Sequence, residues 1–572
     1  MPLELRNGTV ADWRVRKIAV VGPGIVGMPM AALLAHARIK QGTTEPAKVT
    51  VIQRASPTSA WKVEAINQGR SPIGGVEPDL DRIVSESVAA GLLDASHDYA
   101  AARDADVILV SVQTDKSGFG PDYGPLFEAL TGLAQALQSK PAGNVPIIVF
   151  ESTLAPSSMA TVVRDHFATF GLIEGRDILL GNSPNRVMPG RLVERVAASD
   201  KIVAGLHPDT PRLIRELYGR IVTRGTLHPT NSMTAEVVKT LENAYRDVRI
   251  AFATEIVRYC DEHDIDFYQV RDKVNARLAQ SDAASRDPNA VPSGGILVPM
   301  VGVGGHCLPK DGILLWWRRI ESGADTSTSL ILESRRINDA SPAETIRMAE
   351  RAFGSLDGKR VALLGAAYRF NSEDTRNSPT LSLARLLLAK GCTVRIHDPY
   401  VYPTDQNLRR FDLQSHFTQD LAEALKDAEY LFVCTGHKVY ADDLTGIRQL
   451  APRLKGVVDG ANVFRHSDFS NGAPGYTGIG RGRRAPDEAF LDFVHRGFRA
   501  VETGLANEVE ALVDFLNSTY ADSDFNRVRF TEVQRIAGTC VTGCAIVDAG
   551  PVEPAPSYHG FVPRLARLAS HD

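Results

Sequence analysis

The run "KIAVVGPGIVGMPMAALLAHA" limits what this chain can fold into more than any other stretch. A short apolar strand leads into Gly22, Gly24 and Gly27 in G-x-G-x-x-G register, and a helical pattern follows directly. In that context the glycines permit a tight turn and the close approach of a pyrophosphate, whose charge is favoured at the helix N-terminus. Gly22, Gly24, Ile25, Val26 and Gly27 are therefore candidate cofactor-binding residues. The same run, with Arg14, Arg16 and Lys17 ahead of it and an A-x-A ending at Ala37, also has the outline of a signal peptide. Gly-Pro-Gly in its middle favours strand, turn and helix instead, and the expected location is the cytoplasm.

Strands and helices continue to alternate. "KVTVIQR", "DADVILVSVQTD" and "NVPIIVFEST" are apolar strands that end in polar residues, with helical patterns such as "YGPLFEALTGLAQALQ" between them. This alternation predicts a parallel doubly wound α/β sheet, which places ligands at the carboxyl ends of its strands. The second strand ends at Gln53 and Arg54, with no acid there for an adenosine ribose. Gln53 suits a 2′-hydroxyl and Arg54 a 2′-phosphate, so NAD is expected and NADP stays open. From "NSMTAEVVKTLENAYRDVRIAFATEIVRYCDEHDID" the period becomes helical, without Gly or Pro, and predicts a long spine between two lobes. Lys239 and Asn243 share one face of that helix, and Glu236 joins it; a solvated polar stripe is the plainer alternative. A second α/β block opens at "GKRVALLGAAYRFNSEDTRNSP", without the glycine fingerprint, and "AEYLFVCTG" and "GVVDGANVF" extend it.

The expected fold class is α/β: two Rossmann-like doubly wound parallel-sheet domains joined by a long central helix, plus a mainly helical C-terminal extension. The expected boundaries are 15–228, 229–335, 356–484 and 485–572. At 572 residues, about three or four domains are anticipated. A net charge of −4 offers no electrostatic case for nucleic acid or an anionic membrane. Six scattered cysteines without a CxxC pair argue against both a disulfide scaffold and a zinc knuckle, and no metal is expected.

One cysteine stands apart. "GVGGHCLPKDG" places Cys307 among glycines, beside His306 and shortly before Lys310 and Asp311. A thiol needs a positive neighbour or helix-end donors to react at neutral pH, and adjacency in sequence assures neither.

The chain resembles the UDP-glucose/GDP-mannose dehydrogenases over about residues 15 to 480. The resemblance rests on "VGPGIVGMP", "FEST", "NSPNRVMPGR", "EVVKTLENAYRDVRIAFATE", "GVGGHCLPKD", "GAAYRFNSEDTRNSP" and "VVDGANVF", in the family's order. "GGHC" looks like the branch acting on UDP-N-acetylglucosamine or UDP-N-acetylmannosamine. The resemblance implies oxidation of the sugar C6 alcohol to a carboxylate with two NAD molecules, through a thiohemiacetal and a thioester on Cys307. It further implies that Lys239 and Asn243 stabilise charge on the C6 oxygen, that Asp311 with a water takes protons, and that Glu151 positions or activates the hydrolytic water. Thr114 and Thr153 match cofactor-contacting positions, and Arg369 matches a base for the diphosphate. Gly304 and Asn185 fall on the substrate side, and Arg277 matches a sugar-side or neighbouring-subunit contact. A UDP-sugar substrate, surface-polysaccharide biosynthesis and a homodimer or higher homo-oligomer formed along the long helix are part of the same expectation.

Departures fall at Asn185 and Ala461, where the family usually has glutamate and arginine, at Gln53, at Gly312, and in an enlarged loop over 280–295. The alternatives are UDP-glucose or GDP-mannose as substrate, a two-electron dehydrogenase of the 6-phosphogluconate or 3-hydroxyacyl type, and a non-catalytic nucleotide-sugar-binding protein.

Overall fold

The computed structural model describes residues 13–74, 77–186, 190–278, 295–469, 474–540 and 543–571. Most of the loop expected to be enlarged, and the "VMP" of "NSPNRVMPGR", lie outside them. The chain forms two units. The first holds residues through Glu242 with Leu314–Ala324 and Val509–Ala545; the second holds Asn243–Ile313, Asp325–Glu508 and Ile546–Asp572. The region expected at 229–335 is thus shared between them.

The first unit is built on strands β1 (Lys17–Val21), β2 (Lys48–Ile52), β3 (Leu93–Ser96), β4 (Val107–Val110), β7 (Ile147–Phe150), β8 (Leu179–Asn182), β9 (Lys201–Gly205) and β10 (Leu227–Asn231). Their order is β10-β9-β8-β7-β4-β1-β2-β3, and a separate ribbon pairs β5 (Asp115–Ser117) with β6 (Gly120–Asp122). Within the eight-stranded sheet pairing is parallel except between β8 and β9, and the ribbon is antiparallel. Both faces of the sheet's centre are covered, which is why β4 and β7 read as unbroken apolar runs. Ile18, Val20, Val107 and Leu109 point into one core, and Ala19, Val21, Ile108 and Val110 into the other. Strand order reverses between β1 and β4, the crevice where open α/β sheets bind ligands.

The second unit carries β11 (Arg360–Leu364), β12 (Thr393–His397), β13 (Phe417–Thr418), β14 (Tyr430–Val433), β15 (Gly456–Asp459) and β16 (Gly475–Gly478). These form an all-parallel sheet in the order β13-β12-β11-β14-β15-β16. The spine helix, Ser232–Glu262, starts where β10 ends, and Asn231 caps it by accepting from the Thr234 N–H at 2.8 Å.

The extension is ordered into a long helix, Glu488–Tyr520, followed by shorter helices Phe530–Ala537 and Arg564–Ala569. In the second unit it lies antiparallel on the spine helix. The Phe498 ring meets Phe252 at 5.7 Å, and Phe490 stacks on Tyr259 at 5.4 Å. Phe561 stacks on Tyr259 at 4.7 Å, and the Glu255 carboxylate accepts from the Arg564 and Leu565 N–H groups. In the first unit the Asn231 amide donates to the carbonyls of Phe525 and Arg527.

Candidate active site

In the first unit the glycine turn joins β1 to the helix Gly27–His36. Gly22 has φ +90°, and a Cβ there would lie 2.4 Å from the Ser111 carbonyl oxygen; one on Gly27 would lie 2.2 Å from that of Gly22. No side chain could replace hydrogen at either position. A Cβ on Gly24, by contrast, would meet nothing within 4 Å. Val26 offers the helix no side-chain cap, and its first turn holds no acid. The turn therefore fits a dinucleotide: open space beside Gly24, against uncapped helix N–H donors, accepts a pyrophosphate.

At the end of β2, the Gln53 amide donates to the Ser59 hydroxyl at 3.1 Å, which leaves its carbonyl oxygen to accept from a ribose hydroxyl. Arg54 is ion-paired with Glu128 rather than standing unopposed beside a 2′-phosphate position. Thr114 and Thr153, after β4 and β7, come together: the Thr114 hydroxyl donates to the Thr153 carbonyl at 2.7 Å.

Glu151 closes β7 and is turned inward, only 2% exposed. Its Oε2 accepts from Lys201 Nζ at 2.6 Å and its Oε1 from the Tyr218 hydroxyl at 2.5 Å. Burial, and then the Glu151 charge, push the Tyr218 phenol well above its ordinary range. The Glu151 carboxylate therefore presents no oxygen to solvent. The Asn185 N–H donates to the Glu151 carbonyl at 3.2 Å, so the "FEST" and "SPNR" segments are stitched together here. The Arg186 side chain is buried and ion-paired with Glu242 of the spine helix. It also donates to Thr539 and to the Ile536 carbonyl of the extension.

Glu236 does not project from a polar stripe. It is 1% exposed and accepts from the N–H groups of Ser157 and Met159, both at 2.8 Å. Ser157 has φ +73° and receives Arg318 Nε on its hydroxyl at 2.8 Å, so Glu236 and Arg318 hold a strained turn. Burial pushes the Glu236 carboxyl up to about 8, against those two donors. An unfolded chain releases this proton near the ordinary value of 4.5, so it binds fewer protons than the folded chain between there and about 8. Stability must fall as pH rises through that window. Glu236→Gln stays neutral and is expected to flatten this fall in thermal melts from about pH 5 to 8. It will also lose about 1 kcal/mol throughout, because its amide nitrogen cannot accept. A melt profile as pH-dependent as the wild type's would refute the assignment.

In the second unit, Cys307 is exposed and sits at the N-terminus of the helix Leu308–Glu321. Its carbonyl accepts the first helical bonds, from the N–H groups of Lys310 (3.1 Å) and Asp311 (2.9 Å). The helix end, a thiolate-stabilising position, is thus supplied by the fold. The glycines ahead of it are needed because the loop lies on Tyr368. A Cβ on Gly304 would be 2.4 Å from that of Tyr368, and Gly305 has φ +89° with the ring 3.0 Å from its Cβ position.

One turn after the cysteine, Asp311 is fully buried and accepts from the Asn243 amide at 2.6 Å. Lys310, also buried, stands 3.1 Å from the other Asp311 oxygen but off the hydrogen-bonding direction. In the sequence Lys310 is only a neighbour of Cys307, and no local signal ties its side chain to Asp311. Lys239, one turn before Asn243 on the spine helix, is 8% exposed. Gly312, a departure from the family, admits the helix to its neighbours: a Cβ there would be 2.9 Å from Ile331 and 3.6 Å from Ala244.

Arg369 follows β11, its guanidinium 5.8 Å from the Phe370 ring. Arg277 is ion-paired with Glu488 of the extension, a contact absent from the expected substrate role. The loop carrying Arg369 is shaped by Asp398 at the end of β12. This buried carboxylate accepts from the N–H groups of Ala366, Ala367, Tyr400 and Val401 and from His437 Nε2 at 3.0 Å. Burial alone would raise Asp398, but His437 and these donors hold it below the usual carboxylate range.

A dinucleotide cradle in one sheet, a second doubly wound sheet and an exposed cysteine at a helix end define a cofactor-dependent dehydrogenase with two nucleotide-binding lobes. Profiles of the UDP-glucose/GDP-mannose dehydrogenase family match at 16–222 (NAD binding domain), 233–340 (central domain) and 362–466 (UDP binding domain). The UDP-N-acetyl-D-mannosamine dehydrogenase of Pyrococcus horikoshii is 29% identical over 82% of this chain and 99% of its own. The NDP-N-acetyl-D-galactosaminuronic acid dehydrogenase of Ralstonia nicotianae is 30% identical over 68% of this chain and 84% of its own. The crystal structure of the NDP-N-acetyl-D-galactosaminuronic acid dehydrogenase from Methanosarcina mazei superposes with a TM-score of 0.68 at 31% identity, covering 84% of this chain and 97% of that one. The chain belongs to the UDP-glucose/GDP-mannose dehydrogenase family and is an NAD-dependent nucleotide-sugar dehydrogenase. Among the described residues, no helix is long and apolar enough to cross a membrane.

Proposed function

We propose that this enzyme oxidises C6 of a UDP-N-acetylhexosamine, UDP-N-acetylglucosamine or UDP-N-acetylmannosamine, to the uronic acid in the cytoplasm, with Cys307 as nucleophile. The single observation that carries this reading is Cys307 itself. It is exposed at a helix N-terminus, in a glycine loop resting on Tyr368 of the UDP-binding lobe, with the Asp311–Asn243 pair one turn on. The relatives in the N-acetylhexosamine branch support the choice of sugar.

NAD, two molecules per sugar, supplies the hydride acceptor for both oxidations. The C6 alcohol gives up a hydride and its hydroxyl proton to become an aldehyde. The Cys307 sulfur then adds to the aldehyde carbon, giving a thiohemiacetal that remains a hydride donor and cannot diffuse away. Loss of the second hydride leaves a thioester, and water displaces the sulfur to give carboxylate and free thiol. Lys239 and Asn243 stabilise charge on the C6 oxygen, and Asp311 receives protons by way of a water. Asn243 donates to Asp311 and so fixes the direction of both groups. The proposed part of Glu151 is to set the backbone of "FEST" and of Asn185, because its own oxygens are already engaged. Thr114 and Thr153 line the NAD side, with Gln53 on the ribose; Arg369 takes the diphosphate, and Gly304 leaves room for the sugar. The engagement of Arg54 by Glu128 supports NAD over NADP. Homo-oligomerisation is retained, through surface other than the spine-helix face occupied by Phe490 and Phe498.

Incubation with NAD and a panel of UDP- and GDP-sugars tests the reading. About two NADH per UDP-N-acetylhexosamine are expected. One NADH per sugar would point to the two-electron alternative, and none to a binding protein.

A further inference from the structure

Arg369 stands in the middle of a short span whose two ends are tied to different strands of the UDP-binding lobe. At the near end, the Ala366 and Ala367 N–H groups donate to Asp398 at 2.8 and 2.9 Å. The Ala367 carbonyl accepts in turn from the Thr435 hydroxyl at 2.6 Å. At the far end, the Asn371 N–H donates to Nδ1 of His437 at 2.8 Å. We propose that His437 is a positioning residue for the sugar nucleotide: by holding the Asn371 N–H it fixes the 368–371 turn that presents Arg369 to the diphosphate. This rests on the reading of Arg369 as the diphosphate's cation.

The His437 side chain is fully buried, and both ring nitrogens are engaged. Nδ1 accepts from a backbone N–H and so carries no proton. The ring proton therefore lies on Nε2, which donates to Asp398 Oδ2 at 3.0 Å. Asp398 thus selects the tautomer that the turn requires. The three groups follow neighbouring strands of one sheet: Asp398 after β12, Asn371 after β11 and His437 after β14. The histidine backbone is fixed as well. Its N–H donates to the Thr435 carbonyl at 2.9 Å, and its carbonyl accepts from the Tyr440 N–H at 3.0 Å. What it holds is exposed and strained. Asn371 has φ +52°, a left-handed conformation that a non-glycine residue keeps where its surroundings fix it. The Tyr400 hydroxyl, 3.4 Å from Asn371 Oδ1, gives a weaker second support, and its ring lies 5.1 Å from that of His437. Capture of a diphosphate by a guanidinium depends on direction, and a turn already in its bound shape loses less conformational freedom on binding. An exposed turn is here pinned to a buried post.

Two substitutions separate the two bonds of the ring. His437→Gln can still donate to Asp398 through its amide nitrogen but offers the Asn371 N–H no acceptor. His437→Asn puts its amide oxygen where Nδ1 stood, keeping that acceptor and giving up Asp398. In calorimetric titrations of the full chain with UDP, His437→Gln is expected to bind about tenfold more weakly, and His437→Asn to recover most of that affinity. In turnover, the loss in His437→Gln should fall on KM for the sugar nucleotide rather than on kcat or on KM for NAD. A histidine that merely filled space would give equal losses in both variants. Arg369→Ala completes a cycle: once the guanidinium is gone, adding His437→Gln should weaken UDP binding little further. Wild-type affinity in His437→Gln, equal losses in the two His437 variants, or losses that simply add in the double variant would overturn the positioning role. Arg369→Ala binding UDP as tightly as wild type would instead overturn the diphosphate reading itself, and this proposal with it.

Discussion

Cys307→Ser is expected to lower NADH formation from the nucleotide sugar by roughly 10³- to 10⁶-fold, the range seen when an enzyme loses its covalent nucleophile. Serine keeps the shape of the loop, its bonds to the 365–378 segment and the N-terminus of the helix Leu308–Glu321. What it lacks is a group that ionises near neutral pH. The first oxidation still has its hydride acceptor, but the aldehyde then has no sulfur to join. Slow release of aldehyde, or its hydrate as a poor donor, is the remaining route. Affinity for NAD should be unchanged, because the cradle at Gly22, Gly24 and Gly27 lies in the other unit. Stopped-flow absorbance and trapping of the aldehyde as an oxime distinguish the two steps. Undiminished formation of two NADH per sugar would remove the covalent route.

Lys201→Met carries the largest expected effect on stability. Glu151 is 2% exposed, and Lys201 is the cation within reach of it in the described structure, at 2.6 Å. Removal of one partner from a buried pair leaves an uncompensated charge and costs about 3–5 kcal/mol. For a domain of this size that corresponds to a drop of roughly 10 °C in the first transition. Adding Glu151→Gln to Lys201→Met removes the stranded charge while the Tyr218 hydroxyl can still donate, and most of the loss should return. Calorimetry of the three variants against wild type forms the cycle. A Lys201→Met protein as stable as wild type would show that the pair contributes nothing.

The parts of the fold that could be read from the sequence are those with a local period. β1, β2, β4 and β7 announce themselves as apolar runs because both faces of the sheet's centre are covered. The spine helix and the extension helix show their 3.6-residue stripes over 31 and 33 residues. The direction of β9 escapes: it runs antiparallel to β8, and nothing in "KIVAG" fixes that. Among candidate site residues, motifs single out Cys307, Asn243 and Asp311, and the structure joins the latter two by a hydrogen bond. Lys201 could not be found, since it meets Glu151 across 50 residues of chain. Glu236 was misleading for a related reason: helical spacing groups it with Lys239 and Asn243, while packing against the 157–159 turn decides where its carboxylate goes.

The rings of Phe252 and Tyr259 on the spine helix are roofed by Phe498, Phe490 and Phe561, residues that lie past the last family profile, which ends at 466. These extra residues are consequently no detachable appendage. Cutting the polypeptide back to its relatives' length would strip a greasy seam bare, and solubility would be the first property to suffer. Length and foldability are tied together here by a handful of aromatic contacts far from any reacting atom.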